Sequence, residues 1–361
     1  YLNDLDRWSI LALVKTCPRT QARPLGDFFQ KHLCGRSFIG VSFASNGPPM
    51  FTLEFHLPFK AWRKSKRLIV DERIRSSDRT PLRTSKDMSY MMLPGGQVSS
   101  GRQTVHGLYS GHIAYMITGF DQNRWTAHFA VDTWFEESDD GQDRVMRYED
   151  DLEYGIEFDP LSCGRNDARK PIWHPRAYFL EVIQNRLEHV KDEWELILQN
   201  IEVGVSNLAN LQNQLAEQYR DRRSSSDPLA NGMPHVFDAS DKIEMFAGNL
   251  KETLQDVLQI LNHTRKTGDS FLATDVNFFL SYDGHHGDAS ECYPFLAEIR
   301  RKLQEIGQMS ILFESLEARC DFIMSRHFTA SPKVANPNVA YITSSIYEQI
   351  CQDLNFTEHT L

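Results

Sequence analysis

Between Leu180 and Ile201 a large apolar residue recurs at steps of three and four: Leu180, Ile183, Leu187, Val190, Trp194, Ile197 and Ile201. That spacing keeps all seven on one face of a helix. The stripe continues through Val205, Leu208, Leu211 and Leu215, about five heptads in all. A helix with so long an apolar face has to bury it against other elements. Pro175 suits its first turn. A second stripe holds Ile243, Phe246, Leu250, Leu254, Val257 and Leu261, with Asp238 or Ser240 as cap. A third holds Leu296, Ile299, Leu303, Ile306, Phe313, Leu316, Cys320 and Ile323. Polar, Gly- and Pro-containing breaks at 220–234 and 281–290 separate them. Long helices so joined fold back as an antiparallel, coiled-coil-like hairpin. One further short helix is expected near 342–354.

The front half has another period. Residues 5–34 read as a short helix, a Pro-containing break and a second helix. Residues 37–43 and 50–57 are β-rich, with Asn46-Gly47-Pro48-Pro49 in the loop between them. Residues 111–120 and 124–131 read as two more strands around the turn-forming Asp121-Gln122-Asn123. The fold class is therefore α+β, with a strand-rich head over 1–160 and a helical domain over 161–361. The joint is a polar, Gly- and Pro-containing connector at 160–171.

Charge is uneven along the chain. Residues 60–86 hold ten cations against three acids, a net of +7, and residues 136–159 hold eleven acids against two arginines, a net of −9. Lys60, Arg63, Lys64, Lys66, Arg67, Arg73 and Arg75 are thus candidates for holding phosphate or nucleic acid. The competing reading pairs this stretch with the acidic one inside the molecule, and the near-cancellation favours it slightly. The whole chain carries −10, which excludes a generic nucleic-acid binder. Six scattered cysteines without a CxxC pair argue against structural zinc and a disulfide framework. No apolar run approaches the roughly 20 residues that span a bilayer. A soluble, cytoplasmic protein is the expectation.

Few motifs carry chemistry. Asp139-Asp140-Gly141-Gln142-Asp143 spells DDxxD, a metal–diphosphate pattern. Its interior glycine and uniformly acidic flanks favour a charged loop. Asp283-Gly284-His285-His286-Gly287-Asp288 holds metal-ligating residue types in a Gly-rich turn, which reads as a polar loop. No metal site is assigned. His56, His106, His112 and His128 lie on strands, near Ser42 and Ser110 as partners for a Ser–His pair. Neither serine lies in GxSxG, and backbone-satisfied strand histidines are expected.

Two resemblances follow. An α/β front, an acidic connector and long helices at 179–215 and 299–323, the latter with Leu312-Phe313-Glu314-Ser315-Leu316-Glu317, resemble the cytoplasmic part of CorA-like magnesium transporters. Uncharacterised fungal CorA-like proteins are similar in the same way. The resemblance implies a protein of interaction or regulatory type, with a protein partner or self-association through the helical half. That family's Gly-Met-Asn signature and membrane-entering last helix have no counterpart in these residues, so transport by these residues alone is not expected. The second is local. Phe38-Ile39-Gly40-Val41-Ser42-Phe43-Ala44-Ser45-Asn46 is similar to the nucleophile strand of tRNA-dependent cyclodipeptide synthases. It implies Ser42 as acyl carrier and tRNA, or another phosphate-bearing ligand, on the basic stretch. No cofactor is implied by either.

Overall fold

The computed structural model describes residues 1–44, 49–92, 104–136, 155–224, 233–280 and 288–330; at 219–224, 233–240, 288–290 and 326–330 only the backbone is described. Elements follow in the order β1 (Leu2–Asn3), α1 (Arg7–Thr16), α2 (Arg19–Leu33), β2 (Phe38–Phe43), β3 (Phe51–Ser65), β4 (Ser85–Asp87), β5 (Val105–Gly119) and β6 (Trp125–Val131). The long helices α3 (Pro175–Ser224) and α4 (Met233–Thr274), the short α5 (Val276–Leu280) and the long α6 (Asp288–Ala330) complete them. No described helix is long and apolar enough to cross a membrane.

The sheet runs β1-β6-β5-β3-β2, with β4 also paired to β5. Only β1–β6 is parallel among the pairs. Its backbone is the pairing of two fifteen-residue strands, β3 and β5, in register from Phe51↔Gly119 to Ser65↔Val105. Side chains alternate between the faces. Leu53, Phe55 and Leu57, opposite Ile117, Tyr115 and Ile113, face the long helices. Ala114, Met116 and Ala130 face α2, where Leu25, Phe28 and Phe29 cover them. Both faces are buried, which is why β3 reads as a run of apolar and aromatic residues rather than a clean alternation.

The predicted stripes are the core of the helical half. Leu180, Ile183, Leu187, Val190, Trp194, Ile197 and Ile201 are all fully buried. Each such side chain contributes roughly 1.5–3 kcal/mol relative to exposure. One continuous apolar cluster joins these residues to Phe55, Tyr115 and Phe129 of the sheet and to Phe313 and Ile323 of α6. Phe179 stacks on Tyr115 and on Phe279 of α5, linking sheet, α3 and α5. α4 begins at Met233, ahead of the expected caps Asp238 and Ser240. The expected helix at 342–354, both His-rich and DDxxD motifs apart from Asp288, and Cys351 lie outside the described residues.

α2 ends in a Schellman turn. Gly35 adopts φ +64°, and its N–H donates to His32 O while Arg36 N–H donates to Lys31 O. A left-handed backbone at this position favours glycine. α1 differs from every long helix: it is apolar over most of its circumference, yet none of its residues is buried.

Candidate functional site

The polar residues of the head converge beneath α2. Glu54 and His56 sit two residues apart on β3 and so share a face, which His112 joins from β5 and His32 from α2. Glu54 binds two partners: Oε1 lies 2.7 Å from His56 Nε2, and Oε2 accepts from Lys31 Nζ. His56 Nδ1 is 3.2 Å from His112 Nε2. The His112 ring meets His32 edge-on at 4.8 Å, and His32 Nε2 lies 3.6 Å from Asp132 Oδ1, beyond hydrogen-bond length. Asp132 takes Arg83 Nε at 2.5 Å and Arg73 Nη1 at 2.8 Å. Arg73 also grips Asp71 through Nε and Nη2, both at 2.9 Å. Arg83 donates at 2.8 Å to His32 O and so ties the end of α2 to the sheet.

Burial decides the protonation states. It pushes the His56 imidazole down to about 4, against the pull of Glu54. It holds His112 well below the usual imidazole range, helped by the nearby His32 and Arg83. His32 is lowered as well, burial outweighing Asp132. Burial pushes Asp132 upward, but His32, Arg83 and Arg73 outweigh it and hold the carboxyl far below its ordinary range. Glu54 is lowered because His56 and Lys31 outweigh its burial. At neutral pH the network is three neutral imidazoles between two ionised carboxylates. His112 Nδ1 and both His32 ring nitrogens have no hydrogen-bond partner among the described residues. The expectation of backbone-satisfied strand histidines fails here. His56 is held by side chains, and His112 Nδ1 and His128 Nε2 are held by nothing described.

Ser42 stands at the open end of this network. It lies exposed near the end of edge strand β2 and lines a cleft of about 410 Å³ between that strand and α2. Arg19, Arg23 and Lys31 from α2 share the cleft with Asp27 and Glu54. The cations around Ser42 thus come from α2, not from residues 60–86. No described side chain stands within hydrogen-bond reach of Ser42 Oγ as a base.

The seven basic candidates scatter. Lys60 is nearly buried, donates to Ser110 Oγ at 3.0 Å and lies 3.8 Å from Asp256 on α4. It lines a cleft of about 920 Å³ between β2 and α4. Burial lowers its pKa. Arg63 makes a two-pronged pair with Glu193 of α3 at 2.8 and 2.6 Å. Arg73 belongs to the buried network, and Arg75 donates to Leu82 O at 2.9 Å. Lys64, Lys66 and Arg67 are exposed. Of the expected pairing with residues 136–159, Arg63–Glu136 at 3.9 Å is the described instance. Residues 137–154 lie outside the described residues.

Asp132, Arg83 and Asp71 escaped sequence reasoning. A signal existed for their neighbours: Thr52, Glu54 and His56 place polar groups at period two in an otherwise apolar strand. Among the described residues no three His, Cys, Asp or Glu side chains form a metal-holding group. No model of a known protein family matches the chain, and no curated protein matches it significantly.

Proposed function

We propose that this chain is a CorA-like, cytoplasmic protein of interaction or regulatory type that works by self-association, its helical half meeting the head of a second copy, not by moving ions itself. The order of parts supports the resemblance: a sheet with helices on both faces, then long helices sharing its core. One observation carries the self-association. α1 leaves Trp8, Leu11 and Val14 exposed between the cations Arg7 and Lys15. On α3, Leu196 and Val203 are exposed one heptad apart, flanked by Asp192, Glu195 and Glu202. An apolar face with basic flanks is complementary to an apolar pair with acidic flanks. Contact between two different patches is head-to-tail and leads to rings when the rotation closes. The occupant of α1 is therefore a second copy of this chain.

Sedimentation velocity over a concentration series tests this. Concentration-dependent oligomers are expected, with Trp8→Glu shifting them to monomer. Arg7→Glu with Lys15→Glu weakens assembly, and adding Asp192→Lys with Glu195→Lys restores it. A strictly monomeric wild-type chain at every concentration discards the reading.

A second reading has one observation in its favour. Ser42 opens into a cleft whose rim carries Arg19, Arg23 and Lys31. That is the placement a nucleophile accepting an aminoacyl group from tRNA needs, although an activating base would have to come from the substrate. A screen for dipeptide products with charged tRNA checks it. Equal output from wild type and Ser42→Ala removes Ser42 from the chemistry.

A further inference from the structure

A third cleft, about 380 Å³ in volume, lies between β6, the segment 156–173 and the first turns of α3. Its walls are aromatic: Trp125 and Phe129 from β6, Trp173 from the connector and Tyr178 from α3. The rings are held by more than packing. Trp125 Nε1 donates to Trp173 O at 3.2 Å, and the Trp125 and Tyr178 ring centres are 5.9 Å apart. Arg186 fixes the far wall by donating to Leu161 O at 2.8 Å and Pro160 O at 2.6 Å, with its guanidinium over Phe129. Those hydrogen bonds end on carbonyls rather than on a carboxylate.

The lining carries two carboxylates, Asp159 and Asp167, against Lys170, and the Arg186 guanidinium lies at the far wall over Phe129. Asp159 accepts from Tyr178 OH at 3.1 Å and from Leu161 N–H at 3.0 Å. Glu181, one turn along α3 from Tyr178, stands within electrostatic reach of the lining residues Asp159 and Asn166. Glu181 Oε2 is buried and has no hydrogen-bond partner among the described residues. Burial pushes the Glu181 pKa up, contact with Asn166 opposes this, and the Asp159 charge pushes the same way as burial. The one lysine of the lining, Lys170, is exposed at the rim. Asp159 and Asp167 in a cleft walled by Trp125, Trp173 and Tyr178, with Glu181 behind Asp159, favour a positive charge with an apolar body. A fully hydrated metal ion gains nothing from the rings, and a neutral ligand leaves the carboxylates unanswered.

We propose that this cleft binds an organic ammonium cation, with Trp125, Trp173 and Tyr178 packing its apolar groups and Asp159 with Glu181 answering its charge. The site shares no residue with the proposed self-association surface, so the two stand or fall separately. Calorimetric and tryptophan-fluorescence titration of the full chain with choline tests it, with 3,3-dimethylbutan-1-ol as neutral isostere and spermidine as primary-amine probe. Saturable binding of choline or spermidine is expected, with the isostere at least about tenfold weaker. The stronger cation tells a quaternary from a primary ammonium site. Asp159→Asn and Glu181→Gln should each weaken the cation about fivefold or more. Trp173→Ala should do the same, and because the Trp173 side chain is 78% exposed its loss leaves the fold intact. Absence of saturable binding by either cation, equal affinity for the isostere, or unchanged affinity in both Asp159→Asn and Trp173→Ala would overturn the assignment.

Discussion

The two faces of one sheet are built on opposite physics. Toward the long helices, β3 and β5 present Leu53, Phe55, Leu57, Ile113, Tyr115 and Ile117, and the aromatic rings of Phe179 and Phe279 continue that layer outward. Toward α2, the same strands present Glu54, His56 and His112, all buried beside the small apolar cluster around Phe28 and Met116. The first face is stabilised by apolar area and close packing, terms almost independent of pH. The second depends on which groups carry charge, because every imidazole and carboxylate in it has left water. A head built this way is anchored firmly on one side and conditionally on the other.

The largest effect is expected on the apolar face. Phe179→Ala should cost about 4–5 kcal/mol in denaturant unfolding, since it opens a cavity among Tyr115, Phe55 and Phe279. A cost below that of Arg83→Ala would break the contrast. Arg83→Ala comes next, at about 4 kcal/mol, because it leaves Asp132 buried with Arg73 as its sole remaining full charge and unties the end of α2.

Acid should separate the faces more cleanly than mutation. His56 has a folded pKa near 4, below the ordinary imidazole value of 6.5. The unfolded chain therefore binds more protons between those values, and stability falls as pH drops through that window. The loss from His56 is on the order of 3 kcal/mol at pH 4, and the lowered Glu54 and Asp132 add to it at lower pH. His56→Gln should flatten that slope in urea unfolding measured from pH 7 to pH 4. An unchanged slope would mean that the α2 face does not titrate as described. The smallest effect is Gly35→Ala, about 1 kcal/mol, from the left-handed backbone alone. An added Cβ there meets nothing nearer than Arg83 Nη1 at 3.7 Å.

Where the sequence reading succeeded, periodicity was the reason. The three helical stripes and the four long strand runs are local patterns, and each was found because one repeated spacing names both element and buried face. The two inner strands, β3 and β5, proved longer than read. β3 runs on to Ser65 because Lys60 and Arg63 find partners in Ser110, Asp256 and Glu193. The run of cations meets acids that its own sequence does not show: Asp132, 49 and 59 positions from Arg83 and Arg73, and Glu193, 130 positions from Arg63. Ser42 lies on a strand as read, but the cations beside it come from α2, 11 to 23 residues earlier in the chain, and not from residues 60–86.

The chain by itself determined its α+β class and the apolar face of each long helix, since these follow from spacing along a few turns or strand residues. Only the tertiary structure decided that His32, His56 and His112 meet, that Arg73 and Arg83 turn inward to one aspartate, and that Asp159 shares a cleft with Trp125, Trp173 and Tyr178. Those meetings depend on strand register and helix docking. Both are set by the summed burial of many residues, and no single segment encodes them.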